Sequence, residues 1–225
     1  MMLLTPDEWR VVAFTLATCA LSTLVILPFG LALAWVLARR RWRGKTFVET
    51  FITLPLVIPP VATGLLLLKL FGRRGPLGSF LFEHFHIDVV FTWRAVVVAA
   101  AVMSFPLLVR AARVGFENVD IQLEEIARTL GAGPLRILFT VTLPLASRAI
   151  GAGIVLSFAR AVGEFGATIL VAGNIPGRTT TLSLKIYEAV QLAQDFVAYR
   201  LVIVCVLVAF AAVWLSERLT RSLAG

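Results

Sequence analysis

Residues 117–144 read ENVDIQLEEIARTLGAGPLRILFTVTLP, a polar interruption between two apolar runs. Its first half has helical periodicity. Ile121, Leu123, Ile126, Ala127 and Leu130 share one broad apolar face, while Glu124, Glu125 and Arg128 occupy the polar side. Asp120 is placed to cap the start, because a short acidic side chain there accepts a backbone N–H that the helix leaves orphaned. Leu123 stands where a polar partner would be needed to complete a capping box. Gly131 and the Gly133-Pro134 pair end the helix, and a second helical run begins near Leu135. The spacing predicts a short amphipathic helix over 121–130 inside a rigid helix-turn-helix. An ordinary amphipathic connector would show the same periodicity. The fixed distances from Glu125 to Gly131 and on to Leu143-Pro144 are what set this stretch apart.

The surroundings of this loop are apolar throughout. Of 225 residues, 59% are hydrophobic and 15% charged, with a mean hydropathy of +0.92. A soluble domain of this length does not carry that balance, so the fold class is all-α: a polytopic membrane helix bundle, one domain over residues 1–225. Five spans are expected, at about Val11–Leu37, Val48–Phe71, Trp93–Val109, Ile150–Ala172 and Phe196–Leu215. The formal charge of +8 does not indicate nucleic acid, since the basic residues fall at the ends of apolar runs and not on a polar domain. The densest block, Arg39-Arg40-Arg41-Trp42-Arg43-Gly44-Lys45, directly follows the first span and marks the cytoplasmic side. The N-terminus is then periplasmic. Arg110, Arg113 and the closing Glu217–Arg221 stretch put the polar loop and the C-terminus inside. The residues before the first span do not form a cleavable signal peptide, because they carry Asp7 and Glu8 and the apolar run is too long. Cys19 and Cys205 lie within apolar runs and are expected to be reduced core residues.

Several polar or conformationally unusual residues interrupt the spans. The second span contains Leu54–Pro60, with Pro55, Pro59 and Pro60 freeing backbone groups that lipid cannot satisfy. Pro59 and Pro60 mark either a plain kink or a bent helix lining a pathway. Pro28 allows a kink in the first span. In the fourth span, Arg160 and Glu164 are one turn apart and able to pair, while Gly163 and Gly166 permit close helix contact. That pair is either a structural ion pair or part of a pathway. Outside, Leu77–Phe85 and Leu182–Leu192 are expected as short surface helices. His84 and His86 sit near carboxylates, yet no second cluster completes a metal site, and no metal is expected.

No catalytic residue is expected either. The chain holds no GxxxxGK[ST] phosphate loop, no Gly-x-Ser-x-Gly elbow, no HExxH and no paired Asp within a span.

The 117–144 stretch resembles the EAA loop of the membrane subunits of bacterial ABC importers. The family pattern is Glu-Ala-Ala, then Gly, then Leu-Pro; Glu125, Ala127, Gly131, Leu143 and Pro144 keep it, and Ile126 departs from it. The resemblance extends along most of the chain to the molybdate permease subunits of these importers, through PFGLALAWVLARR, LPLVIPPVATG, GRRGPLG, AAAVMSFPLLVRAAR and GEFGATILVAGNIPGRTTTL. Sulfate or thiosulfate permeases are the sibling alternative, and a non-transport membrane protein a more distant one. The resemblance implies a multi-pass protein of the bacterial inner membrane that moves molybdate, or the similar tungstate, into the cytoplasm. It implies a homodimer in the lipid bilayer, two ATP-binding ABC subunits below it, and a periplasmic molybdate-binding protein above. ATP and Mg would be held by the ATPase, with no cofactor on this chain. Glu124, Glu125, Ala127, Arg128, Leu130, Gly131 and Ala132 would then form the ATPase-coupling surface.

Overall fold

The computed structural model describes residues 4–40 and 42–221, so Arg41 of the basic block lies outside the described residues. Those residues form helices joined by short loops, with no strand among them. Helix α1 (Pro6–Arg39) runs through Pro28 without a break. It opens on a capping box in which Glu8 N–H donates to Thr5 Oγ1 and Thr5 N–H to Glu8 Oε2.

The second expected span is divided. Helices α2 (Lys45–Val57) and α3 (Pro60–Phe71) meet at 110°. The cause is local. A residue preceding proline is disfavoured in the α region, and both Ile58 and Pro59 precede one; both are extended, at ψ 138° and 131°. Pro55, which has no second proline after it, is accommodated inside α2.

Helix α4 (Pro76–Phe85) follows, then α5 (Trp93–Glu117), α6 (Ile121–Thr129), the short α7 (Pro134–Ile137) and a π-turn over Leu138–Thr142 that leads into α8 (Leu143–Val162). Helices α9 (Gly166–Val171), α10 (Leu182–Gln191) and α11 (Asp195–Arg221) complete the chain.

Packing gives the direction of each helix. Near one end of the bundle, Val12 and Cys19 of α1 cluster with Ala100 of α5, Ala161 and Val162 of α8, Leu182 and Leu201. Near the other, Ala34 and Leu37 of α1 cluster with Val109, Ala112 and Phe116 of α5 and Ala146 and Ile150 of α8. Helices α1 and α5 are therefore parallel, and α8 is antiparallel to both. Two parallel helices need an odd number of crossings between them. The broken pair supplies it: Val48 and Ile52 pack at the second end, and Leu67 and Phe71 at the first. It counts as one crossing, which makes five. Helix α11 returns to the second end, where Ser216 Oγ donates to Ala152 O at 3.5 Å. The described chain thus begins at one end and finishes at the other.

Two expectations are corrected here. The fourth span lies earlier than 150–172: the continuous helical run is 134–162, and residues 166–171 form the separate α9. The largely apolar composition of 163–172 hides this break, which falls at Gly163, the cap of α8, with Glu164 accepting Ala167 N–H of α9. Helix α10 is not a surface helix. Leu182, Leu184 and Ala189 are buried, and Leu182 N–H donates to Thr15 Oγ1 of α1 at 2.8 Å.

Candidate functional site

The polar loop projects from the second end of the bundle, beyond the last residues of α1 and α5. Helix α6 begins where expected, with Asp120 Oδ1 accepting Gln122 N–H at 2.9 Å. Its end explains the position of the glycine. Ala132 N–H donates to Ala127 O and Gly131 N–H to Arg128 O, both at 3.0 Å, the paired bonds of a Schellman cap. That cap needs a left-handed residue at Gly131, where φ is +85°. Nothing lies within 4 Å of a side chain added there, so conformation and not space selects glycine.

Helix α6 is exposed on nearly all sides: Gln122, Glu125 and Arg128 face solvent together with Ile121, Leu123 and Ile126, and Ile121 lies one turn before Glu124, not on the apolar face expected of it. No residue of α6 is buried. Leu123, Ile126 and Leu130 share one face and are 43%, 56% and 82% exposed, and Ile121, Leu135 and Phe139 are exposed as well. Glu124 is held against the chain's own bundle. Its Oε1 accepts Arg39 Nη2 at 2.6 Å and Thr142 Oγ1 at 2.8 Å. Arg39 Nη2 also donates to Val119 O at 3.2 Å. Of the expected coupling residues, Glu125, Arg128, Leu130 and Gly131 are solvent-facing and Ala127 and Ala132 are half-buried, while Glu124 is held inward. Arg39 and Thr142 were not singled out by sequence. Arg39 sat within a block read as an orientation signal, 85 positions from Glu124, and Thr142 is turned inward by the π-turn; neither carries a local signature.

The second group of candidates meets at the breaks. Arg160 Nη1 donates to Glu164 Oε2 at 2.7 Å, and Ala167 N–H to Glu164 Oε1 at 2.8 Å. Glu164 is 3% exposed. It satisfies a backbone N–H at the start of α9, the group that the interruption of the helix would leave unpaired in an apolar surrounding. Helix α9 packs on α3 through close backbone approach. A Cβ on Gly166 would lie 2.7 Å from Pro60 Cβ, and one on Gly64 2.8 Å from Ala167 Cα. Pro60 therefore contributes to a contact between two broken helices, with Pro59 exposed beside it. Gly163 does not mediate close contact: it is exposed, and an added Cβ would meet only carbonyl oxygens of its own helix at 3.9 Å and beyond.

At the first end, Arg200 Nη2 donates to Glu8 Oε1 at 2.6 Å, tying α11 to α1. Arg73 makes two 2.8 Å bonds to Asp88, and the Arg73 guanidinium holds the Asp88 carboxyl below its usual pKa. His84 Nδ1 lies 3.1 Å from Phe80 O, and no group of three metal-ligating side chains occurs among the described residues.

A family model described as the inner membrane component of binding-protein-dependent transport systems matches residues 10–225. The molybdenum transport system permease protein ModB of Escherichia coli is 48% identical over 221 residues, covering 98% of this chain and 96% of that protein. The sulfate transport system permease protein CysT of Salmonella typhimurium is 42% identical over 163 residues, 72% of this chain and 58% of its own length. Among solved structures, an inward-facing form of the MetNI methionine ABC transporter superposes with a TM-score of 0.73 at 18% identity, over 98% of this chain and 99% of that one. This last likeness concerns the fold.

Proposed function

The chain belongs to the family of inner membrane components of binding-protein-dependent transport systems, and from that membership we propose that it is the membrane-spanning subunit of an ATP-driven importer of molybdate or tungstate. The observation that carries the ATP-driven part is the exposed apolar strip of α6 and its cap, Leu123, Ile126 and Leu130. A helix that holds Glu124 against its own bundle and leaves Leu123, Ile126 and Leu130 in solvent is built for a partner groove. That partner is a cytoplasmic ATPase, which holds ATP and Mg; this chain binds neither. Full-length similarity to a molybdenum permease, against a partial match to a sulfate permease, supports molybdate as cargo.

In this reading the chain is a homodimer in the inner membrane, with two ATPase subunits at the α6 end and a periplasmic molybdate-binding protein at the other. The α6 end is cytoplasmic, in line with Arg40 and Arg43 beside the end of α1. ATP binding closes the ATPase pair, draws the two α6 helices together and opens the pathway outward; hydrolysis resets it. Each state is a packing of the same five crossings, and ATP shifts the balance through its differential affinity for them. Selection of the anion rests with the binding protein, since a deep permease site would slow release.

The test is uptake of labelled molybdate into vesicles holding this chain with its ATPase and binding protein. ATP-dependent uptake blocked by excess tungstate but not by sulfate is expected. Block by sulfate moves the cargo to the sibling anion and leaves the ATP-driven reading in place. Absence of ATP-dependent uptake from the assembled system refutes both.

A further inference from the structure

We propose that Arg39, Glu124 and Thr142 form the joint through which movement of α6 enters the membrane helices. This rests on the docking of α6 to an ATPase. In it Glu124 is an anchor, not a partner contact, and Arg39 and Thr142 are positioning residues.

The argument starts from how little else holds α6. Its large apolar side chains are exposed, and none of its residues is buried. Its two ends are short connections, Asn118–Asp120 on one side and Leu130–Gly133 on the other. What fixes the middle of the helix is one carboxylate. Glu124 Oε1 takes both Arg39 Nη2 and the Thr142 hydroxyl. Arg39 and Glu124 side chains are only 12% and 13% exposed, so their attraction is poorly screened, and losing one partner strands the other charge.

The three residues belong to three moving parts. Arg39 is the last residue of α1, a helix of 34 residues that reaches the opposite end of the bundle. Thr142 closes the π-turn that continues into α8. Arg39 also holds Val119 O, the backbone between α5 and α6. A pull on the exposed face of α6 is therefore delivered through one oxygen atom to α1 and α8, which are antiparallel neighbours. The π-turn has a purpose here: the extra residue in its turn rotates Thr142 inward, where it is 1% exposed.

The experiment compares Glu124→Gln, Thr142→Val, Arg39→Gln and Arg39→Lys with Ile126→Asp, all in the assembled transporter. Co-purification of the ATPase, ATP hydrolysis and uptake are read at matched membrane abundance. For Glu124→Gln and Arg39→Gln, ATPase co-purification is expected to stay normal while uptake per ATP hydrolysed falls about fivefold or more, the lower range of measured coupling energies. Thr142→Val is isosteric and leaves both charges paired, so a smaller fall is expected, and Arg39→Lys restores part of the ratio. A role confined to stability would lower abundance and leave uptake per ATP unchanged. Normal uptake per ATP in Glu124→Gln and Arg39→Gln overturns the joint, as does loss of the ATPase from Glu124→Gln, which would make that residue a docking contact. Ile126→Asp tests the premise separately: if the ATPase stays bound to that variant, the docking of α6 is what fails.

Discussion

Gly131 and Gly133 offer a matched pair in which only backbone conformation differs. A Cβ at either position meets nothing within 4 Å, so neither alanine substitution changes packing. Gly131 has φ +85°, and Gly133 has φ −72° and ψ 164°, which any residue preceding Pro134 adopts readily. Forcing an L-residue into the left-handed region costs roughly 1–2 kcal/mol. Replacing glycine by alanine returns about 0.4–1 kcal/mol by restricting the unfolded or frayed segment. For Gly131→Ala the net is about 1 kcal/mol against the capped end of α6, or roughly fivefold in its population. For Gly133→Ala only the favourable part applies. The assay is ATP-dependent uptake and ATP hydrolysis of the reconstituted transporter, with hydrogen exchange of the Gly131 and Ala132 amides, which make the cap's two bonds. Gly131→Ala should exchange faster at both amides and couple hydrolysis to uptake less well, at unchanged membrane insertion. Gly133→Ala should match the parent or improve on it. Equal behaviour of the two variants would refute the claim that the cap selects glycine.

The contact between α3 and α9 gives a second pair: Gly166→Ala places its Cβ 2.7 Å from Pro60 Cβ and should cost about 1–3 kcal/mol by overpacking, whereas Gly163→Ala should leave the Tm in detergent unchanged. Glu164→Ala removes the acceptor for Ala167 N–H and the partner of Arg160; a loss of roughly 1–3 kcal/mol is expected, measured by thermal unfolding, with the preference for molybdate over sulfate retained. At the opposite end, the Asp88 carboxyl is held below its ordinary pKa by Arg73, so its contribution is fully present above the unfolded value. It should be lost as pH falls below about 4; limited proteolysis of the 86–92 loop should be flat from pH 6 to 8 and rise at that acid limit, and Asp88→Asn should remove the dependence.

The loop was legible because its signals are local. A capping Asp120, a 3.6-residue period and a glycine at the left-handed position all act within one or two turns, and each is in place. Span number was legible from composition, but span limits were not. The run through Gly163 and Gly166 is apolar enough to read as one span, yet α8 stops at Val162 with Gly163 as its cap, and buried Glu164 takes up the Ala167 N–H of the next helix. The 110° break was visible as a proline run, but its angle was not. Burial of α10 depends on Thr15 of α1, 167 positions away, and the Arg39–Glu124 pair likewise joins distant positions. Periodicity cannot reach such distances, which is also why Glu124 is expected on the coupling surface with Glu125 although it bonds Arg39 and Thr142.

The apolar strip of α6 has a consequence for the life of the chain before it is assembled. A newly inserted copy without its partner carries Leu123, Ile126 and Leu130 exposed on the polar loop, a greasy hook that membrane insertion does nothing to hide. Such a copy is marked as an orphan by its own surface, open to self-association and to the proteases and chaperones that sort unassembled subunits. Its abundance in the cell should therefore follow that of the protein that covers the hook, falling when that protein is scarce even though transcription and insertion proceed unchanged.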